Sequence, residues 1–238
     1  MIADFSNVTQ LFFGSSEMSA AYANGVKLWP AAVVGGYTPH LVDNGGTGNL
    51  TWGSIGSDSR YLSFSMLFNP SDVSSTVNSV ARIGRALVNF QGNNIEFTAY
   101  NNLASLLVEL NSGSILEVGT LYQLVVLCDM NAGFEHAEMY LNGVLVASAT
   151  PDTLAMDHTR SSNGLIAGAD FQQLGDAFID LVTPGLTISD FWDGAPRDVS
   201  LVGAPGLLFN GNASDWATGT NFGNLTPTIS VSGTFIDA

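Results

Sequence analysis

The sequence of 238 residues is short of charged residues, of cysteine and of long apolar runs. Charged residues make up 11% of the chain, against about 25% in typical soluble domains. Cys128 is the single cysteine, so an internal disulfide is excluded, and its surroundings, "YQLVVLCDM", predict a buried core thiol rather than a nucleophile. The start, "MIADFSNVTQ", lacks the features of a signal peptide, and no apolar run approaches the roughly 20 residues that span a bilayer. We therefore expect synthesis in a reducing cytoplasm and no membrane insertion.

Positive charge is the scarcest feature. The formal net charge is −15, from 6 Lys and Arg residues against 21 Asp and Glu residues. A nucleic-acid-binding surface needs clustered cations, whereas the cations here are dispersed. They are Lys27, Arg60, Arg82, Arg85, Arg160 and Arg197. The sequence therefore predicts no nucleic-acid partner, and the acid excess favours a protein kept soluble at high local density or in a saline medium.

Alternation of apolar and polar residues with period two dominates the chain. In "RYLSFSMLF", residues 60–68, every second residue is apolar, as in a half-buried strand. The stretches "NIEFTAY", "SLLVEL", "HAEMYL" and "TISVSGTFI" follow the same pattern, while "LYQLVVLC" is typical of a central strand covered on both faces. Short strands separated by Gly, Asn, Asp, Ser or Pro predict an all-β fold, an antiparallel β-sandwich or jelly roll.

The pattern Tyr-x-Asn-Gly-Val occurs twice, at residues 22–26 and 140–144. Each Asn-Gly pair lies between β-compatible flanks, which is the strongest short-range signal for a two-residue type I′ hairpin. Prolines and glycines follow the first pentad, so we expect a boundary between an N-terminal hairpin segment (1–35) and the main sandwich (36–238). Helical spacing is best in residues 71–87, where β-branched residues leave a short helix and an irregular loop as alternatives.

Residues 121–148, "LYQLVVLCDMNAGFEHAEMYLNGVLVAS", combine a central strand, a turn and a hairpin with an aromatic-x-Asn-Gly-Val element. They resemble the concanavalin A-like, laminin-G-like jelly-roll superfamily, and residues 162–194 resemble its closing pair of strands. The resemblance covers roughly residues 50–200, and its motifs describe the fold more than an activity. It implies a concanavalin A-like antiparallel jelly roll.

The two ends of the chain resemble those of tailed-phage and prophage structural proteins, through "LFFGSSEMSAAYANGVKLWP" at residues 11–30 and the segment 213–238. This resemblance implies a non-enzymatic virion protein, such as a spike, fibre or decoration protein, with other virion proteins as partners. We expect a homo-oligomer, because repeated virion sites are symmetric. The predicted virion anchor comprises large apolar residues of the first hairpin region: Leu11, Phe12, Phe13, Tyr22 and Trp29.

Catalytic residues are hard to find. A retaining glycosidase of this fold needs two carboxylates about 5 Å apart, but Glu135 and Glu138 in "FEHAEMY" project from opposite faces of a strand. His136 and Glu138 share a face, which is typical of a surface polar row. We predict no catalytic set and no enzyme; a glycan-degrading enzyme remains an alternative, with Glu138 as its candidate acid.

Metal-ligand patterns are equally weak, and we predict no metal site and no cofactor. The three histidines lack zinc-ligand spacing, and no Asp-x-Asp-x-Asp-Gly calcium loop is present. Carboxylates do gather toward the C-terminal half, where one calcium ion is the alternative to an acidic outer face, and Asp193-Gly194 within this group is expected to form a turn. These carboxylates belong to Asp176, Asp180, Asp190, Asp193 and Asp198.

The main alternative to a virion role is a carbohydrate-binding, lectin-like module that recognises a cell-surface glycan. A planar aromatic ring stacks on a sugar face, while Asn or Asp beside it exchanges hydrogen bonds with sugar hydroxyls. Three loop-like stretches offer this combination, and at each of them a structural aromatic is the other interpretation. They are Trp192 with Asp190 and Asp193, Trp216 with Asp215 and Asn212, and Tyr100 with Asn101.

Overall fold

The structure is a computed structural model that describes residues 12–13, 16–17, 21–23, 26–29, 40–43, 48–52, 58–70, 72–74, 76–159, 163–167, 171–199, 202–203, 207–209, 228–231 and 234–237. The regular elements in these residues are strands and one short helix. They are β1 (Phe12–Phe13), β2 (Ser16–Glu17), β3 (Ala21–Ala23), β4 (Val26–Trp29), β5 (His40–Asp43), β6 (Gly48–Trp52), β7 (Tyr61–Pro70), β8 (Thr76–Ile83), β9 (Ala86–Gln91), β10 (Asn94–Tyr100), β11 (Leu106–Ser114), β12 (Tyr122–Asp129), β13 (His136–Leu141), β14 (Val144–Ala149), β15 (Asn163–Ala167), β16 (Phe171–Asp180), the short helix α1 (Ile188–Phe191), β17 (Leu207–Phe209), β18 (Thr228–Val231) and β19 (Thr234–Asp237).

Two antiparallel sheets build the molecule. Sheet I has seven strands in the order β11-β10-β9-β8-β15-β6-β18. Sheet II has eight, in the order β14-β13-β12-β7-β16-β5-β19, with β17 pairing beside β5 along β16. The small hairpins β1-β2 and β3-β4 pair separately from both sheets. The predicted antiparallel β-sandwich preceded by a hairpin segment is confirmed, while the boundary between residues 35 and 36 lies outside the described residues.

The inner faces of the two sheets form the main core. On β7, the apolar residues that alternate in the sequence are all buried there: Leu62, Phe64, Met66 and Phe68. The ring of Phe68 lies 5.0 Å from Phe90 of sheet I and 5.5 Å from Tyr122 of sheet II, measured between centroids. Burying each large apolar side chain stabilises the fold by about 1.5–3 kcal/mol, so this face carries much of the stability.

The outer face of sheet II is covered as well. Val125 and Leu127 of β12 point outward and pack with Phe178 of β16 and with residues of the segment 182–203. Within that segment, Phe191 of α1 meets Phe178 edge to face, with ring centroids 5.2 Å apart. Every residue of β12 is buried, which confirms the predicted central strand covered on both faces.

The expectation of a short helix or an irregular loop in residues 71–87 is wrong. Most of this stretch forms β8 and the start of β9, which pair around a two-residue turn with Ile83 opposite Ala86. Gly84 in that turn has φ +65°, a backbone conformation that glycine adopts without strain. β-branched residues favour extended backbone, and the sandwich buries Val80 and Ile83 in its core, so tertiary burial overrides the helical spacing.

The second Tyr-x-Asn-Gly-Val pentad forms the predicted type I′ turn. Asn142 and Gly143 have φ values of +49° and +75°, and Leu141 pairs with Val144 on either side of them. The Oδ1 of Asn142 also accepts a hydrogen bond from the backbone N–H of Gln123 at 2.8 Å, which fixes the turn to β12. In the first pentad, Ala23 pairs with Val26, and residues 24–25 lie outside the described residues.

A segment that we call the end strap, residues 151–159, ties the two sheets together at one end of the sandwich. Met156 and Ser59, which precedes β7, exchange backbone hydrogen bonds of 2.7 and 3.2 Å. The next residue, Asp157, donates its N–H to the carbonyl of Tyr100, the last residue of β10, at 3.0 Å. The end strap therefore joins sheet II to sheet I.

Asp157 is the charged anchor of the end strap. Its Oδ2 accepts a hydrogen bond from Arg85 Nε at 2.8 Å, and its Oδ1 accepts two from the N–H and Oγ1 of Thr159 at 2.9 and 2.6 Å. Burial by itself raises the pKa of the Asp157 carboxyl, but the bonds from Thr159 and Arg85 outweigh burial and lower that pKa below its usual 3.8.

His158, the next residue of the end strap, is fully buried at 0% exposure. Its Nδ1–H donates to the carbonyl of Ile83 at 3.0 Å, while Nε2 has no hydrogen-bond partner within the described part of the chain. Burial lowers the pKa of His158 below 6.5, and the Ile83 bond and the charges of Asp58 and Asp157 offset this only in part. The imidazole is therefore held neutral.

We predict that the free energy of unfolding decreases as the pH falls below about 6.5, because the unfolded chain binds a proton at His158 that the native chain rejects. Above the unfolded pKa of 6.5, His158 makes its full contribution to the free energy of unfolding. Below 6.5 that free energy falls by about 1.4 kcal/mol for each pH unit, until the pH reaches the lowered native pKa. Asp157 acts in a separate window, since its contribution is lost only below 3.8. Urea unfolding between about pH 5 and 7.5 measures the slope.

The matched control for this pH dependence is His136, a half-buried histidine on β13. His158→Gln removes the buried titrating group and flattens the slope, whereas His136→Gln leaves the slope in place. Equal slopes for wild type and His158→Gln would mean that another group carries the pH dependence.

Candidate functional site

The first predicted sugar-binding group surrounds α1, on the outer face of sheet II. The carboxylate Oδ2 of Asp190 accepts hydrogen bonds from the N–H and Oγ1 of Thr187, at 2.8 and 3.1 Å. This is the arrangement of a capping box, in which the third residue of a helix bonds back to the residue before its start. Asp190 thus stabilises the first turn of α1.

Trp192 lies directly over the turn of the second pentad. A Cβ added to Gly143 would overlap Cδ1 and Nε1 of the indole and lie 2.7 Å from its Cγ. Trp192 is half-buried, and Asp193 beside it is exposed. Asp193 and Gly194 form the predicted turn, in which the N–H of Asp193 donates to the carbonyl of Ala195 at 3.0 Å and Gly194 has φ +75°. The indole therefore has a packing role, and its contact with sugar remains a prediction.

We predict that Gly143→Ala is more destabilising than Gly119→Ala, which is a matched control. The two glycines have nearly equal φ values of +75° and +77°, but a Cβ at Gly119 meets no atom within 4 Å. The backbone conformation alone costs about 1 kcal/mol, and overlap with Trp192 adds about 2 kcal/mol at Gly143. Chemical denaturation of both variants measures the difference.

A double-mutant cycle tests whether Trp192 causes that difference. In a Trp192→Ala background, Gly143→Ala should cost no more than Gly119→Ala, because the overlapping indole is gone. Equal costs for the two glycine variants in the wild-type background would contradict the proposed contact.

The second predicted group, Tyr100 and Asn101, lies at the opposite end of the sandwich from Trp192. Asn101 is buried, and its Oδ1 accepts hydrogen bonds from the N–H groups of Leu103 and Ser105, both at 2.9 Å. The side-chain carbonyl group of Asn101 thus closes the turn after β10. Tyr100 is half-buried and its backbone binds the end strap, so the two described groups do not form one site.

The remaining predicted residues fall outside what the structure describes. Residues 210–227 hold the third predicted sugar-binding group, Trp216 with Asp215 and Asn212. Among the predicted anchor residues, Leu11 is not described, and only the backbone pairing of Phe12, Phe13, Tyr22 and Trp29 is. Both assignments stay predictions.

The candidate catalytic side chains form a polar row on the outer face of β13. His136 and Glu138 share that face, as predicted, and Tyr140 lies on it too; Tyr140 donates its hydroxyl to Glu138 Oε2 at 2.7 Å. Burial, followed by the hydrogen bond to Glu138 and the charge of that carboxylate, raises the pKa of Tyr140 to about 12. Cys128 is a buried free thiol whose pKa is raised by burial and by the charge of Glu138, as expected of a core residue.

Two of the C-terminal carboxylates, those of Asp180 and Asp190, accept hydrogen bonds from nearby backbone N–H groups. Asp180 is buried at 1% exposure, and its Oδ1 accepts hydrogen bonds from the N–H groups of Val182 and Thr183 at 2.8 and 2.9 Å. Asp190 caps α1, and Asp193 belongs to an exposed turn. Among the described residues, no three His, Cys, Asp or Glu side chains form a group that could hold a metal ion.

An exposed aromatic ring escaped the sequence prediction. Phe134 is 73% exposed, and it is the one exposed aromatic among the side chains that the structure describes. It lies in residues 130–135 between β12 and β13, which we call the aromatic loop. The sequence signal is "DMNAGFEH", residues 129–136, where an aromatic follows Asn and Gly between two strands.

Hydrogen bonds hold the aromatic loop in one shape. Asp129 Oδ1 accepts from the N–H and Nδ2 of Asn131 at 2.8 and 2.7 Å, and the N–H of Phe134 donates to the Asn131 carbonyl at 3.0 Å. Glu135 Oε2 accepts from the N–H of Gly133 at 2.9 Å, and His136 Nδ1 donates to the Phe134 carbonyl at 3.0 Å. A ring presented on such a loop loses little conformational entropy when it binds a ligand.

The aromatic loop lies at the same end of the sandwich as the end strap. The N–H of Met130 donates to the carbonyl of Arg60 at 2.8 Å, and the adjacent Ser59 pairs with Met156 of the strap. The strap in turn binds Tyr100. This end therefore presents the aromatic loop, whose exposed ring can stack on the apolar face of a small molecule while polar side chains of the loop bond to its hydroxyl groups.

No protein-family model matches the chain, and no curated protein is significantly similar to it. Solved structures do resemble it. A proposed carbohydrate-binding protein from Bacteroides ovatus has a TM-score of 0.56 and 9% sequence identity, over 89% of this chain and 66% of that chain. A heptameric SAP-like pentraxin from Limulus polyphemus has a TM-score of 0.48 and 11% identity, over 84% of this chain and 94% of that chain.

A third similar structure is the ligand binding domain of botulinum neurotoxin serotype D in complex with N-acetylneuraminic acid, with a TM-score of 0.44 and 13% identity. The match covers 72% of this chain and 48% of that one, about half of its length. At such identities the likeness to the Bacteroides ovatus structure establishes the fold alone: an all-β, antiparallel jelly-roll sandwich, as predicted. In the described part of the chain, no helix has the length and apolarity of a membrane span.

Proposed function

We propose that this chain is a non-enzymatic, glycan-binding β-sandwich module, and that its aromatic loop contacts the sugar. The observation that carries the proposal is the exposed ring of Phe134 on a hydrogen-bonded loop. Exposing a phenyl ring to water costs free energy unless a ligand or partner covers it. A pyranose ring has an apolar face that matches such a ring.

Polar groups beside Phe134 complement that stacking. Asn131 and Glu135 lie in the same loop, and His136 follows it. A carboxylate accepts hydrogen bonds from sugar hydroxyls, while an amide can both donate and accept them. The similarity to a proposed carbohydrate-binding protein agrees with this role, although the similarity itself concerns the fold.

The geometry around Glu138 supports binding without hydrolysis. A glycosidase needs two carboxylates in register across a sugar, whereas Glu138 bonds to the hydroxyl of Tyr140 at 2.7 Å. Glu135 lies before the start of β13 and bonds to Gly133. The hydrogen bonds recorded for these two carboxylates thus engage them within their own loop and strand.

We predict that Phe134→Ala reduces glycan binding at least about tenfold, because it removes both the stacking surface and its apolar area. The free energy of unfolding should change by less than about 0.5 kcal/mol, since the ring is exposed. A glycan array identifies the ligand, and titration calorimetry with that ligand measures the loss. Phe134→Trp, which keeps a planar ring, should retain binding.

Leu103→Ala is the matched control for this experiment. Leu103 is 82% exposed in the turn after β10, at the same end of the sandwich, but it offers no flat ring for stacking. Its substitution should leave binding unchanged. A blank array, or equal binding by wild type and Phe134→Ala, would overturn the assignment of the aromatic loop.

The second candidate function is a structural role in a phage or phage-like virion, as a spike, fibre or decoration protein. It is favoured by the hairpins β1-β2 and β3-β4, which in the described residues pair with neither large sheet. An isolated two-stranded hairpin is marginally stable in water, so these hairpins are suited to docking on other virion proteins. Homo-oligomer formation belongs to the same proposal, and the two functions are compatible.

We predict that a chain lacking residues 1–30 keeps the unfolding midpoint of the sandwich in urea but no longer co-purifies with particles. The physical reason is that both hairpins lie in the deleted segment, whereas the sheets and their core lie outside it. Phe134→Ala, which keeps both hairpins, is the control and should be incorporated normally. Normal incorporation of the truncated chain would exclude the anchor.

A further inference from the structure

We propose that the aromatic loop selects uncharged glycans and discriminates against sialylated and sulfated ones, an inference that rests on the glycan-binding function proposed above. The charged side chains that flank the loop carry it. In the two segments that build this site, residues 58–60 and 129–135, the carboxylates belong to Asp58, Asp129 and Glu135, and Arg60 is the cation. Three negative charges against one positive charge leave a net of two negative charges.

The positions of these residues follow from backbone hydrogen bonds. Asp129 is the last residue of β12 and Glu135 is the residue after Phe134. The backbone carbonyl of Arg60 accepts a hydrogen bond from the N–H of Met130 at 2.8 Å, and Asp58 is two residues before Arg60. All four charged side chains therefore belong to the end of the sandwich that presents the ring.

The cation in the β8-β9 turn at this end is already engaged. Arg85 Nε donates to Asp157 Oδ2 at 2.8 Å, and the Arg85 side chain is only 21% exposed. Recognition of a carboxylate or sulfate by arginine depends on charge-assisted, often bidentate hydrogen bonds. In these two segments three carboxylates stand against the single guanidinium of Arg60, so the net charge offers an anionic sugar no electrostatic attraction.

Neutral sugars fit these surroundings better. Carboxylates act only as acceptors when ionised, and sugar hydroxyls act as donors to them. Repulsion between two exposed unit charges about 7 Å apart in water weakens binding about threefold. Salt screens this repulsion, with a Debye length of about 8 Å at physiological ionic strength. Discrimination should therefore be strongest at low salt.

The test compares neutral glycans with their own sialylated and sulfated derivatives on one array, at low and high salt. We expect the bound glycans to be uncharged, and addition of a sialic acid beside the recognised sugar to weaken binding at least about threefold at low salt and less at high salt. Equal or tighter binding of the sialylated forms would overturn this inference while leaving the glycan-binding function intact. A blank array would overturn the function itself.

A charge variant tests the cause of the discrimination. Glu135→Gln keeps an oxygen that can accept from the N–H of Gly133 but removes the charge, so the ratio of sialylated to neutral binding should rise about threefold at low salt. Glu117→Gln removes an exposed carboxylate at the opposite end and should leave this ratio unchanged. The same ratio of neutral to sialylated binding in wild type and Glu135→Gln would contradict the electrostatic explanation.

Discussion

Burial of β12 on both faces organises this molecule. Residues such as Leu124 and Val126 point into the main core, and Val125 and Leu127 point out of sheet II. An outer face of that kind would expose apolar surface to water, so residues after β16 cover it, among them Phe191, Val199 and Val202. The short helix α1 belongs to this cover and is stabilised by contact with the sheet, because four residues cannot form a stable helix alone.

The covering residues also shape the end of sheet II that holds the turn between β13 and β14. They bring Trp192 over the Asn142-Gly143 turn, so the aromatic residue that was predicted to bind sugar packs against the pentad that was predicted to build the fold. The absence of a side chain at Gly143 serves two purposes. It allows positive φ in the type I′ turn, and it allows the indole to approach the backbone.

Acidic side chains have a role that composition alone does not indicate. Several described Asp residues accept hydrogen bonds from backbone N–H groups two residues later, which is the pattern of an Asx turn. Asp72, Asp129, Asp157 and Asp180 all do so. Part of the acid excess therefore shapes the turns between strands, and the remainder gives the surface its negative charge. At the aromatic loop the two roles coincide, since the turn that fixes Phe134 also supplies charge.

The sequence alone determined the fold class, the alternating core of β7, the double burial of β12 and the type I′ turn of residues 140–144. These features depend on local periodicity and on turn residues, which neighbouring residues encode. Tertiary structure decided that residues 76–83 form a strand, because burial in the sandwich overrides helical spacing. It also decided that Trp192 packs on Gly143 and that Phe134 is exposed. Exposure of an aromatic ring depends on which segments cover it, and those segments are distant in the chain.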